Sequence, residues 1–436
     1  MNTKSYFKNL TTAILFLFLS LSFADAQTEK LPTPRQEKLL NGMNLLVWNA
    51  PDNAGKVTVK LRIHSGSAFD TQGKEGTMAL LADALFQTQA QREFFVEDLG
   101  GSLDVASNYD YIQITATATN DQFLTMLEII ASAVTNPQID KETTLKLRDA
   151  RLEKVKELEK NPSYIADQAV AKRLFGDFPY GRAQGGTTQS LATIDFADLI
   201  FAKQRFLTAD NATLAVVGSV RPDLAYRAAK RFFGGWTKAD KKIPATFRQP
   251  ETPDAKELII ESPNTENGMR RSALMVGARN DKDFYATKVL TEIWQTQFCY
   301  GDDSKYGRSS LEPHLLRGTY VVSINLSVNE LPASARNLCG FVLLKDGKKI
   351  YPPIMQTDFE QAKSKIVADL NKKTMSVIDL ADLWLDVDTF KLVSVNNEMS
   401  KLNNVTLADV QRVAADLQKQ PVVNVVVKKP DTAKNK

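Results

Sequence analysis

The chain has 436 residues, of which 43% are hydrophobic and 24% charged, an ordinary globular composition. The formal charge of +4 is spread along the sequence with no basic stripe interleaved with aromatics, which argues against nucleic acid as a partner. Two cysteines, Cys299 and Cys339, exclude a disulfide scaffold and read as separate thiols.

Lys4 and Lys8 precede an apolar run from Ala13 to Phe23, and Ala24-Asp25-Ala26 supplies small residues before Gln27. This is the layout of a cleaved secretory signal over residues 1–26, so export, most simply to a periplasm, is expected. The run is shorter than the roughly 20 apolar residues of a spanning helix, and no later stretch approaches that length. No membrane insertion is therefore expected after cleavage.

Residues 27–237 read as one half. A strand from Met43 to Trp48 is followed by Val57 to His64, where apolar and polar residues alternate as on a strand with one buried face. A helix over about Gly76–Phe86 precedes strands at Ser102–Ser107 and Tyr111–Thr117. Helices follow at about Asp121–Thr135, Lys141–Glu159, Ser163–Leu174 and Asp195–Arg205, then a strand at Ala212–Val217 and a helix at Leu224–Phe233. Residues 238–256, with Pro244, Pro250 and Pro253, form an extended linker.

Residues 257–430 repeat the order. Strands at Glu257–Glu261 and Ser272–Val276 precede a helix at Asp283–Phe298 with Val289, Leu290, Ile293 and Trp294 on one stripe. Strands at Thr319–Val328 and Phe341–Leu344, helices at Asp358–Lys373, Ile378–Val393 and Leu407–Lys419, and a strand at Val422–Val427 complete it. Residues 431–436 are a tail. The expected fold is α+β: two homologous halves, each a mixed, mostly antiparallel sheet with helices packed on one face.

Six blocks in order, Leu40-Asn41-Gly42-Met43, Ser65-Gly66-Ser67, Leu99-Gly100-Gly101-Ser102-Leu103, Asn161-Pro162, Phe178-Pro179-Tyr180-Gly181-Arg182 and Asp210 to Gly218, resemble the pitrilysin/insulinase-type zinc metallopeptidases, which include the mitochondrial processing peptidase and periplasmic bacterial members. Active members carry H-x-x-E-H on the first long helix, where two imidazoles on one face hold zinc and the Glu activates its water. Aligned on Gly76 and Phe86, those positions hold Ala79, Ala82 and Asp83, and the third ligand position falls at Lys154. Lys154 is expected to pair with Asp83. The residues alone agree, since the chain has only His64 and His314, too far apart for any i, i+4 pair. His64 reads as a solvated strand residue and His314 as an ordinary surface histidine.

The resemblance also implies an Arg/Tyr pair that closes over substrate, with Arg317 and Tyr320 as candidates, although three residues apart is shorter than the family spacing. No catalytic residue and no metal or other cofactor is expected in this chain. The implied role is a non-catalytic, substrate-binding or regulatory subunit of an exported heterodimeric zinc peptidase. Its partner would be a catalytic H-x-x-E-H relative holding the zinc, and its substrates peptides. The alternative is a stand-alone peptide-binding or scaffold protein.

Overall fold

The computed structural model describes residues 31–50, 55–239, 247, 249–265, 268–299, 307–324, 342–343, 349–350 and 353–430. The signal segment over 1–26, the tail over 431–436, Cys339 and the side chain of Cys299 lie outside the described residues.

The first half builds a six-stranded sheet in the order β1-β2-β6-β3-β5-β4, from β1 (Arg35–Lys38), β2 (Asn44–Asn49), β3 (Lys56–Ile63), β4 (Ser102–Ser107), β5 (Ile112–Thr119) and β6 (Ala212–Gly218). The second half orders its main sheet β7-β13-β8-β10-β9, from β7 (Leu258–Glu261), β8 (Met269–Val276), β9 (Gly307–Glu312), β10 (Gly318–Ile324) and β13 (Val423–Lys428). A short pair, β11 (Val342–Leu343) and β12 (Lys349–Ile350), stands apart. Without β1 the two orders correspond strand for strand, and each contains one parallel pair, β2 with β6 and β7 with β13. The halves are therefore one plan used twice.

The first half carries α1 (Thr77–Asp83), α2 (Gln89–Glu97), α3 (Phe123–Thr135), α4 (Lys141–Leu158), α5 (Pro162–Phe175), α6 (Thr188–Thr193), α7 (Phe196–Phe206) and α8 (Pro222–Phe233). The second carries α9 (Phe284–Cys299), α10 (Gln356–Met375), α11 (Val377–Phe390), α12 (Val395–Asn403) and α13 (Leu407–Gln418). Helix α11 stops three residues short of the expected end because Lys391 adopts a left-handed conformation, φ 57°.

Val57, Val59, Leu61 and Ile63 point from β3 into a core shared with Met78 and Leu81 of α1, Met126 and Ile130 of α3, and Phe233 of α8. On the second sheet Leu274, Val276, Tyr320 and Val322 pack on Val289, Leu290 and Ile293 of α9. The opposite faces are covered too, which the one-sided expectation did not include. Ala381 and Leu385 of α11 lie on Leu46, Trp48, Ala215 and Val217 of the first sheet. Ala166, Val170 and Leu174 of α5 join Ala273, Val423, Val425 and Val427 of the second. Each half lends a helix to the other.

The exchange is pinned twice by the same device. Lys60, six residues before Gly66, donates to Asp382, the sixth residue of α11, at 2.5 Å and to the Ile378 carbonyl at 3.0 Å. Arg271, six residues before Gly277, donates to Asp167, the sixth residue of α5, at 2.6 Å and to Ser163 Oγ at 2.6 Å. Ile378 and Ser163 are each the second residue of their helix.

Candidate functional site

The helix that the resemblance aligns with the family's zinc helix is α1. Gly76 enters it with φ 99°, a conformation that suits glycine. The Asp70 carboxylate accepts from the backbone N–H groups of Gly76 and Met78, both at 2.8 Å, satisfying donors that the first turn leaves open. Ala79 and Ala82 are buried methyl groups. Asp83 receives Arg151 of α4 through Nη2 at 2.6 Å and Nε at 2.8 Å, and Arg151 also reaches the Ala79 carbonyl at 3.3 Å. Arg151, one turn before Lys154, thus takes the pairing expected of Lys154, which is exposed. Helical geometry explains the correction, since residues three apart share a face and burial decides which one meets α1.

These residues do not fit zinc. Zinc sites need three or four N, S or O donors at about 2.0–2.3 Å, and here a single carboxylate is already held by a guanidinium. Glu153, the carboxylate next to Lys154, pairs with Lys156 at 2.7 Å on the exposed side of α4. Among the described residues, no group of three His, Cys, Asp or Glu side chains is placed to hold a metal ion.

Arg317 and Tyr320 do not converge. Tyr320 is fully buried, with its ring 5.4 Å from that of Trp294 on the helix-covered face of the second sheet. Arg317 precedes β10 and donates through Nη2 to Gln249 Oε1 at 3.1 Å. With only two residues between them they face different surroundings, so they do not form one Arg/Tyr clamp.

Both histidines sit at the seam between the halves, contrary to their reading as solvated residues. His314 Nδ1 lies 2.9 Å from Asp110 Oδ2, and its ring stacks on Tyr180 with centroids 4.5 Å apart. Tyr180 donates to Asp110 at 2.7 Å and accepts from the Leu316 N–H at 2.9 Å. A turn of the first half is thereby fastened to the β9–β10 connection of the second. The Tyr180 block was visible in the sequence, but its partners lie 70 residues before it at Asp110 and 136 residues after it at Leu316.

His64 lies between Thr213 Oγ1 and Thr389 Oγ1, each 2.9 Å from a ring nitrogen. Its neighbour on the same strand face, Arg62, is 2% exposed, bonds Asp386 at 2.6 Å and Gln113 at 2.7 Å, and lies 4.1 Å over the Tyr111 ring. Burial holds the His64 imidazolium down to about 3; Asp388 opposes this, while Lys391 and Arg62 add to it. The unfolded chain therefore takes up a proton below the ordinary value near 6.5 that the folded chain refuses, so stability is lost as pH falls from there toward 3. Burial pushes the Asp70 carboxyl up to about 7, against the two N–H donors, which gives the opposite slope between about 3.8 and 7. Expected results follow for melting temperature against pH. His64→Gln flattens the acid loss, and Asp70→Asn steepens it. Parallel curves for His64→Gln and the parent would show that His64 is not held neutral.

The charged groups of the seam are paired with one another across the two halves. Edge strand β4 lies beside α1 and pairs only with β5 among the described residues. An edge left unpaired by its own sheet is the kind of surface on which β-strand addition occurs, although the Ser107 carbonyl at its end already accepts from Gln184 at 2.6 Å.

The sequence model described as Insulinase (Peptidase family M16) matches residues 46–188, and that described as Peptidase M16 inactive domain matches residues 193–299. An uncharacterized zinc protease of Rickettsia bellii (strain RML369-C) is 23% identical over 211 residues, 47% of this chain and 50% of its own length. The mitochondrial-processing peptidase subunit beta of Dictyostelium discoideum is 21% identical over 430 residues, 88% of this chain and 86% of its own. The crystal structure of a protease from Helicobacter pylori superposes with a TM-score of 0.80 at 18% identity, covering 91% of this chain and all of that one, which shows a common fold.

Proposed function

Because the chain belongs to the insulinase-type peptidases of family M16, we propose that it is the non-catalytic, substrate-binding or regulatory subunit of an exported heterodimeric zinc peptidase. The observation that carries this reading is Arg151 on Asp83, a fixed guanidinium beside an emptied helix in an otherwise complete two-half fold. Zinc belongs to the partner, an H-x-x-E-H relative, and this chain contributes peptide-binding surface such as β4. That a relative of similar length is named as a subunit supports the assembly. Export rests on the reading of residues 1–26, and no helix among the described residues is long and apolar enough to cross a membrane.

Alone, the purified chain is expected to hold no stoichiometric zinc and to cleave no unstructured peptide. Mixed with the catalytic relative it should form a 1:1 complex burying roughly 2,000 Å² or more, as stable pairings do, with peptidase activity needing both. Light scattering and peptidase rate on the same mixture test this. Two separate species, with the relative fully active by itself, rule out the subunit role and leave stand-alone peptide binding at β4. A zinc-to-protein ratio near one, with chelator-sensitive activity, overturns both.

A further inference from the structure

Away from the seam and α1, a cavity of about 220 Å³ lies between α9, α10 and the second sheet. It is smaller than the roughly 300–1,000 Å³ of pockets for drug-sized ligands. Its floor is apolar, with Leu311, Ile366 and Tyr320. Of its charged groups, Glu292 is neutralised by Lys365. Lys288 of α9 and Asp369 of α10 are different. Both line the cavity, yet neither side chain has a hydrogen bond or ion pair among the described residues. Opposite charges on flexible side chains ordinarily close onto each other; here both line the cavity without forming an ion pair.

We propose that this cavity binds a free α-amino acid with a small apolar side chain, the carboxylate on Lys288 and the ammonium on Asp369. A simple anion would leave Asp369 facing it, and a simple cation would face Lys288. A zwitterion answers both charges and lets its side chain lie on Leu311 and Ile366. Burial, with Arg279 and Lys373 adding repulsion, pushes the Lys288 ammonium down to about 8 despite Asp369 and Glu292. A bound carboxylate supplies the missing counter-charge. The site needs no catalytic partner, so it stands or falls independently of the subunit role.

The test is ligand-observed NMR and calorimetry on the full mature chain with L-valine, N-acetyl-L-valine and L-valinamide. One saturable site for L-valine is expected, with both single-charge analogues at least about tenfold weaker, the cost of leaving one of the two charges unanswered. Lys288→Met and Asp369→Asn should each weaken L-valine by about the same factor. Asp369 is exposed, so its variant should keep the parent melting temperature and remain a fair test if Lys288→Met folds poorly. No saturable uptake of L-valine at millimolar concentration, equal binding of the analogues, or unchanged binding in Asp369→Asn would overturn the proposal.

Discussion

Expressed separately, residues 27–237 and 257–430 are expected to remain unfolded or to aggregate, and to recover one cooperative transition only when mixed. The first piece loses α11, which covers Leu46, Trp48, Ala215 and Val217 and supplies Asp382 and Asp386 to Lys60 and Arg62. The second loses α5, which covers Ala273, Val423, Val425 and Val427 and supplies Asp167 to Arg271. Burying one large apolar side chain contributes about 1.5–3 kcal/mol, and whole domains are stable by only about 5–15 kcal/mol. Uncovering one entire sheet face, with two buried cations on it in the first piece, is enough to cancel that margin. Circular dichroism melts of each piece and of the mixture decide the matter. A sharp independent transition in either piece would show that the exchanged helix is dispensable.

The second large effect is expected at Asp386→Leu. Arg62 would stay buried without its closest carboxylate, and breaking a buried ion pair from one side costs about 3–5 kcal/mol. Asp382 remains 3.6 Å from Arg62, which places the loss near the lower end, about 3 kcal/mol. Adding Arg62→Leu should return most of it, because two apolar side chains replace a desolvated pair. The duplicate strap supplies the contrast. Asp167 is 54% exposed against 27% for Asp386, so water already screens its carboxylate, and Arg271 keeps Ser163 Oγ and the Arg270 carbonyl when Asp167→Leu removes its partner; a loss of about 1 kcal/mol is expected. Chemical denaturation of the three variants and the parent reads all of these. Equal losses at Asp386 and Asp167 would mean that burial does not set the strength of the straps.

Where sequence order alone sufficed, the reason was local periodicity or residue inventory. The alternation in β3, the run of β6 that is apolar but for Thr213, and the apolar stripe of α9 each identify an element from its own residues. Two histidines in the whole chain exclude the family's metal helix without any coordinates. Elements lacking such a pattern went unread. β1 is Arg-Gln-Glu-Lys, a charged edge strand whose polarity suits an edge and hides its period. β9 places Arg308, Ser309 and Ser310 where alternation would show, and α2, α6 and α12 are short.

What the tertiary structure alone decided is which surface each face meets. Alternation groups Lys60, Arg62 and His64 on one side of β3, but the same pattern serves a face in water and a face under α11. The helix that settles it begins more than 300 residues later. Arg151 rather than Lys154 on Asp83, Tyr320 turned away from Arg317, and Asp110 fastened to His314 have the same origin. Sequence spacing fixes the direction of a side chain on its own element. Its partner is fixed only when two halves, each unable to cover both faces of its sheet, complete one another.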